Sequence, residues 1–251
     1  MLSIEHFYLF FLIFVCFIFQ KKRPRSVSKN STNGILEDSK FLIFNEVILS
    51  YFLAKSSSFF SDKFSLVLSS ITIDISTYHP LLQLCILFVI FDAISFFTHY
   101  SAHRYSSLWK IHKLHHSVLN LNPIATFRHS LLGHIYFYAM GAILTSFIHV
   151  SEGIRMATYF ITITADVIQH TNVKLTIPYF LNYIFIFPDN HYYHHSKVKY
   201  KKYGQNFGLL LTIWDIMFGT FYLPKSKDTE IGLENDDLPK SFIKRMLYPL
   251  I

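Results

Sequence analysis

The chain has 251 residues, 51% of them hydrophobic, 18% aromatic and only 16% charged, with a formal net charge of +7. That excludes a disordered or collagen-like chain, because neither carries so much apolar side chain. The apolar residues fall in blocks too long for an ordinary soluble core. Lys and Arg, 23 in all, sit beside those blocks, which predicts a membrane protein with no nucleic-acid partner.

Residues 7–19 are an unbroken apolar run, followed at once by Lys21, Lys22, Arg23 and Arg25. A cleaved signal peptide carries its positive charge ahead of the apolar core. The reverse order predicts an uncleaved membrane helix over residues 2–20 with its basic end in the cytoplasm. Residues 26–40 are polar, contain Asn33-Gly34, and read as a linker. Residues 41–54 are apolar apart from Asn45, Glu46 and Ser50, and read as a second span or an interfacial helix. The Ser-rich stretch 56–70 and the β-branched stretch 66–75 receive no assignment.

Residues 81–97 form a clear span with one acid, Asp92. Residues 131–150 contain no Lys, Arg, Asp or Glu and match the ~20 residues that a bilayer core requires. A turn at Ser151-Glu152-Gly153 leads into a return over 154–169, so a helical hairpin is expected. Residues 177–187 are apolar but too short to cross, which predicts an amphipathic surface helix. The expected fold is all-α, an integral-membrane, multi-pass bundle of about four to five spans. Four regions follow: 1–40 for the first helix and basic linker, 41–80 for the second apolar segment, 81–225 for the histidine-bearing part, and 226–251 for a tail. Counting crossings from Lys21 puts every histidine cluster on the cytoplasmic side as a metal-binding cap. Arg104, Lys110, Lys113, Arg128, Lys197, Lys199, Lys201 and Lys202 fall on that side too, as positive-inside flanking requires. Cys16 and Cys85 lie in apolar stretches, so neither a disulfide framework nor a CxxC pair is expected.

Histidine is over-represented, at 14 copies. His99 and His103 are four apart, His112, His115 and His116 form His-x-x-His-His, and His191, His194 and His195 repeat that pattern. His170 stands alone in Gln-His-Thr-Asn. Spacings of three and four put side chains on one helical face, where two imidazoles can reach a common ion. Two chance copies of His-x-x-His-His are roughly a one-in-a-thousand event at this frequency, so the clusters read as metal ligands. His6, His79, His134 and His149 are spaced singly and read as interfacial or hydrogen-bonded within the bundle; His129 is undecided.

Imidazole suits zinc, iron, copper and nickel alike, so ligand type does not choose the metal. Nine clustered histidines are enough for two ions. The zinc-protease pattern His-Glu-x-x-His is absent, and no Asp/Glu cluster resembles the carboxylate-rich di-iron bundles. A redox pair held by histidine at a membrane surface points to oxygen chemistry on a lipid.

With these residues laid out, the sequence resembles the fatty acid hydroxylase/sterol desaturase superfamily of integral-membrane di-iron oxygenases, from about Asp92 to Phe221. The ordered signature comprises Asp92, His99-x3-His103, Leu108-Trp109, His112-x2-His115-His116-Ser117, Asn122, Thr126-Phe127-Arg128 and His170-Thr171-Asn172. It closes with Pro188, His191-x2-His194-His195-Ser196, Asn206-Phe207-Gly208, Trp214-Asp215 and Phe218-Gly219-Thr220-Phe221. Tyr100 stands where members often have Arg, and Asp166 lies one turn before His170, where some relatives have another histidine. Asp166 is expected to be structural or to support a ligand.

The resemblance implies that residues 81–225 are a hydroxylase-like di-metal domain. Its ligands would be His99, His103, His112, His115, His116, His170, His191, His194 and His195, holding two iron ions, with zinc as the ion purified protein could carry instead. It also implies O2 as co-substrate and hydroxylation or desaturation of a lipid, whether sterol, fatty acyl or related. No cytochrome b5-like domain is expected in the chain, so a separate ferredoxin- or cytochrome b5-like donor would supply electrons. Asp92, Arg128, Asn172, Asn206 and Asp215 are candidates to hold the outer ring nitrogens of the ligands. The aromatic stripes at Phe96-Phe97 and 183–187 read as lipid-facing or core in preference to a substrate tunnel. Two other classes compete: a zinc-dependent membrane hydrolase, and a metal-binding transporter or non-catalytic scaffold. Metal analysis with O2 consumption separates the first. A transporter places ionisable ligands near mid-bilayer, whereas these clusters lie past the helix ends.

Overall fold

In the computed structural model, residues 3–25, 31–53, 55–56, 71–223 and 229–251 are described, with only the backbone of 31–33 and 144–146. The first apolar run folds as α1, Ile4–Lys22. Leu9, Ile13 and Cys16, spaced by four and three, are its buried face. They pack with Val167, Phe127 and Ile124, while Phe7, Phe11 and Phe14 stay exposed.

The polar stretch expected to be a linker is helical from residue 31. Helix α2, Ser31–Leu42, runs on through a π-helical segment, Ile43–Leu49. The reason is a buried polar edge that composition hides. Asp38, Phe41 and Asn45 recur at helical spacing and are each 0% exposed. Asp38 accepts from Asn122 Nδ2 at 2.8 Å and pairs with Arg128 Nη1 at 2.7 Å. Asn45 Nδ2 donates to the carbonyls of Phe127 and His129 at 2.9 and 3.0 Å. The first part of the expected linker, 26–30, and the unassigned stretch over 57–70 lie outside the described residues, as does the end of the second apolar segment at 54.

Helix α3, Pro80–Arg104, begins with Pro at its first position behind an N-cap His79, whose ring accepts the Leu81 N–H. It outruns the expected span by two turns and carries His99 and His103 on its last turns. After Tyr105 breaks the helix, α4, Ser106–His112, leads into two single 3-10 turns, His115–Ser117 and Ala125–Phe127. Helix α5 is Leu131–Ser146, shorter than the expected span. The chain leaves it so that strand β2, Ile148–His149, can pair in parallel with β1, Ile73–Asp74. Helix α6, Glu152–His170, returns and delivers His170 in its final turn. The expected hairpin is looser than the sequence implied, since α5 packs mainly on α3 while α6 packs on α1, α3 and the helix Pro188–His194. Among the described residues the remaining helices are short: α7, Pro188–His194, α8, Ile213–Met217, and α9, Phe242–Leu247.

The expected surface helix over 177–187 is also corrected. Only Tyr179–Tyr183 makes a 3-10 turn, because the next residues hydrogen-bond across to the 210–212 loop. Among the described residues two helices, α1 and α3, are long and apolar enough to cross a membrane. Only 17% and 28% of their apolar windows are buried in the protein, so most of each apolar surface is left uncovered by the rest of the chain.

The Asp38–Arg128 pair joins α2 to the loop behind the histidines with both groups out of water. Removing one partner of such a pair costs about 3–5 kcal/mol, because the other charge stays buried. Arg128→Ala is expected to lower the thermal stability of detergent-solubilised protein severely. The double variant Asp38→Leu/Arg128→Met is expected to recover much of that loss in the same melt.

Candidate metal centre

A helix turns about 100° per residue, so residues three and four along lie to opposite sides of the first, about 100° from each other. Each His-x-x-His-His motif is therefore split. His112 and His116 join His99, His103 and His194 in one group of five, while His115 joins His170, His191 and His195 in a group of four. In each group the candidate ligand nitrogens all lie within 4.8 Å of one another. Two nitrogens on opposite sides of one ion at ~2.1 Å are about 4.2 Å apart, so each group is near the size of a single coordination sphere. The eight histidines singled out by spacing and the lone His170 are brought together.

The two groups are adjacent. The His116 and His195 rings, one from each, stack with centroids 4.5 Å apart. Nε2 of His170 lies 3.1 Å from that of His115 and 3.0 Å from that of His191, and Nε2 of His194 lies 3.1 Å from that of His116.

Three rings have their outer nitrogen fixed by a backbone carbonyl. His99 Nδ1 donates to Phe207 O at 3.2 Å, His194 Nδ1 to Gln205 O at 2.9 Å, and His170 Nδ1 to Asp166 O at 2.8 Å. A proton on Nδ1 leaves Nε2 bare and directed inward, the tautomer a cation needs. Other ring nitrogens are buried with no hydrogen-bond partner: Nε2 of His99 and His103, both nitrogens of His112, and Nδ1 of His115, His191 and His195. Each such atom costs ~1–3 kcal/mol when unsatisfied. Nε2 of His99 and His103 and one nitrogen of His112 fit a cation at the five-histidine focus, whereas Nδ1 of His115, His191 and His195 are outer nitrogens, opposite the Nε2 atoms that approach one another within their group. Burial, more than any neighbour, holds these rings neutral: it depresses the His112, His115, His116, His191 and His195 pKa values far below the usual range. His194 is pushed from 6.5 to about 3 by burial, partly opposed by its bond to Gln205.

Two of the candidate supporting residues, Asp215 and Asn206, act through the backbone of the loop whose carbonyls hold two of the imidazoles. Asp215, 0% exposed, accepts from the N–H groups of Phe207 and Gly208, each at 2.8 Å, and from Thr220 Oγ1 at 2.6 Å. Asn206 sits at φ 56°. Its amide donates to Asn190 O and Tyr222 O, and its oxygen accepts the Tyr222 N–H. Together they fix the 205–207 loop, whose carbonyls hold His99 and His194. Asp92 accepts from Leu210 N and Trp214 Nε1, both at 2.8 Å. Arg128 reaches Ser117 Oγ at 3.0 Å besides Asp38. Asn172 ties the end of α6 to α1, its N–H donating to Gln20 Oε1 and its carbonyl accepting from Arg25 N.

Asp166 lies beside the site and outside both groups. Its carboxylate accepts from Thr126 Oγ1 at 2.5 Å and stands 3.5 Å from His170 Nδ1. His129 also lies outside both groups and stacks flat on His115, centroids 4.8 Å apart. Three of the four single histidines are hydrogen-bonded: His6 to Ser3 at the start of α1, His79 as the cap of α3 and His134 to Ser50, while His149 is exposed.

Sequence reasoning missed Gln205 and Phe207, which act through carbonyl oxygens and so leave no side-chain pattern. The glycines at 204 and 208 bracketing them were the available signal of a tight loop. It also missed Asp38 and Asn45, hidden in a stretch whose composition is polar. A cavity of about 200 Å³ opens onto the five-histidine group, lined by His103, His116, His194, Trp109, Lys199 and Glu234 among others. At its rim Lys113 pairs with Asp237 and Lys197 with Glu230, while Lys199 stands 5.5 Å over the Trp109 ring.

The model of the family described as "Fatty acid hydroxylase" matches residues 84–220, more than half of the chain. The chain belongs to the fatty acid hydroxylase family. Both histidine groups and the 205–207 loop fall inside the matched segment. An "Ornithine lipid hydroxylase OlsE" of Rhizobium tropici is 34% identical over 164 residues, covering 61% of this chain and 46% of that protein. The chain thus spans about half the length of the curated relative it matches. No solved structure matches it.

Two outcomes follow from this geometry. Asp215→Ala frees the loop that orients His99 and His194, and loss of such outer support typically costs ~10–100-fold in metal affinity. A drop of that order, read by competition with a chelator, is expected. The buried neutral rings also set a pH dependence. Below 6.5 the unfolded chain takes up protons that His194 refuses until about 3. Stability of chelator-treated protein is therefore expected to fall as pH drops from 6.5 towards 3, checked by thermal melts across that range.

Proposed function

We propose that this fatty acid hydroxylase family member is a membrane-bound, non-haem di-iron lipid hydroxylase that uses O2 and external electrons. The observation that carries the reading is the division of nine histidines into two adjacent, convergent groups of five and four. Two neighbouring all-imidazole sites fit a pair of redox ions better than a structural zinc, which four ligands satisfy and which often uses cysteine. The relative's printed name, a lipid hydroxylase, favours insertion of oxygen over desaturation.

Bound iron would supply O2 activation and the oxidising power for an unactivated C–H bond. The chain's own part is to bind, orient and exclude water. His99, His170 and His194 turn bare Nε2 atoms inward by donating their outer N–H groups to carbonyls. Phe207 packs its ring against His99, His103 and His194 at 5.5, 5.0 and 5.4 Å, an apolar wall on one side of the five-histidine group. His195, at 0% exposure, shows how dry the interior is. Residues 81–225 form the metal-binding domain in this reading, carried on four to five spans with the histidines on the cytoplasmic side. The rim of Lys113, Lys197 and Lys199 is where a separate ferredoxin- or cytochrome b5-like donor would approach. Trp109 lies between that rim and His103, its ring 5.0 Å from the imidazole.

The test is protein purified from iron-supplemented cells, together with lipid mass spectrometry of cells with and without the chain. About two irons per chain, reductant-dependent O2 uptake and a lipid heavier by one oxygen are expected. His115→Ala and His194→Ala, one from each group, are expected to abolish the product while leaving membrane insertion intact. Zinc with no O2 uptake would favour the hydrolase, and a lipid lighter by two hydrogens would favour desaturation.

A further inference from the structure

Asp92 is the one acid on α3, twelve residues from either end of the helix, or about 18 Å at 1.5 Å per residue. An acid in a span is costly unless it faces protein or water. Here it faces protein: its carboxylate accepts from Leu210 N, Leu211 N and Trp214 Nε1. The loop before α8 and α8 itself are therefore pinned at the middle of the helix, well away from its ends.

What they bring there is apolar. Residues 175–187 contain no Lys, Arg, Asp or Glu, and 207–223 contain only Asp215, which is buried within the loop it clamps. Tyr179, Phe180 and Met217 are 66%, 63% and 65% exposed, and Tyr183, Ile184, Ile213, Ile216 and Phe218 are exposed beside them. Water would be a poor partner for such a surface. It is continuous with the apolar side of α3, because the Phe218 ring packs 5.1 Å from Phe97 and 5.4 Å from Phe96.

Non-helical backbone is tolerated at bilayer depth only when its polar groups are paired inside protein. The two segments do this for each other: Ile186 N donates to Leu210 O at 2.8 Å, Thr212 N to Ile184 O at 3.0 Å, and Thr212 Oγ1 to Asn182 O at 3.1 Å. We infer that residues 179–185 and 213–218 form one re-entrant module whose exposed face sits among lipid acyl chains against the middle of α3. This rests on the reading of α3 as a span, part of the proposed function above. The 205–207 loop that holds His99 and His194 is the upward continuation of that module. The metal centre is thus braced from within the bilayer as well as from the polar side.

Cysteine accessibility tests this without reference to activity. In a Cys16→Ala/Cys85→Ala background, single variants Phe180→Cys, Met217→Cys, Val89→Cys on α3 and Lys201→Cys on the polar side are treated with a membrane-impermeant maleimide in permeabilised vesicles. Lys201→Cys is expected to label, and the other three to stay unlabelled until SDS is added. Labelling of Phe180→Cys and Met217→Cys like Lys201→Cys, with Val89→Cys still protected, would overturn the module and leave the span standing. Labelling of Val89→Cys as well would overturn both.

Discussion

Buried imidazoles that point their nitrogens at one another are an unstable arrangement unless something positive lies between them. The Nε2 atoms of His115, His170, His191 and His195 approach one another to 3.0–3.1 Å, as do those of His116 and His194, and burial keeps the rings neutral instead of letting them charge and repel. Neutral rings with bare, converging nitrogens are ligands in waiting, and much of the remaining architecture serves to hold them so. Helix α3 brings two of them on its last turns, α6 brings one on its final turn, and two short helices and a 3-10 turn supply the rest.

Orientation is achieved mostly by backbone. Gln205, Phe207 and Asp166 each offer a carbonyl to an outer ring nitrogen, and Asp215 and Asn206 make the first two available by bolting their loop in place. A carbonyl accepts without itself titrating, so the tautomer it selects does not change with pH. The price of this design is sensitivity to loop geometry: Asn206 occupies a left-handed conformation, and Gly208 is so tightly packed that a Cβ there would lie 2.7 Å from Leu211 O. Asp38 and Arg128 do the same work on the opposite side, fixing the segment that follows His116.

The histidines were legible because metal binding leaves its spacing in the sequence. His99-x3-His103 and two copies of His-x-x-His-His have few other uses, whereas His170, standing alone, entered through the family resemblance. How the nine would divide was not legible. That depends on the angle between neighbours on a helix and on which facing element each ring meets. The long apolar runs at α1 and α3 announced themselves for the same reason of simple periodicity and length. Helix α2 did not, since Asp38 and Asn45 look like surface residues until their partners at Arg128 and Phe127, more than eighty positions away, are known. The 177–187 segment was misread as a helix because its apolar content said nothing of the strand-like bonds it makes to residues 210–212.

The division into five and four is where this account can be struck most directly. An iron-edge anomalous difference map of the iron-loaded protein should show two peaks in each chain, one enclosed by His99, His103, His112, His116 and His194, the other by His115, His170, His191 and His195. A single peak, or peaks lying outside these rings, would contradict it.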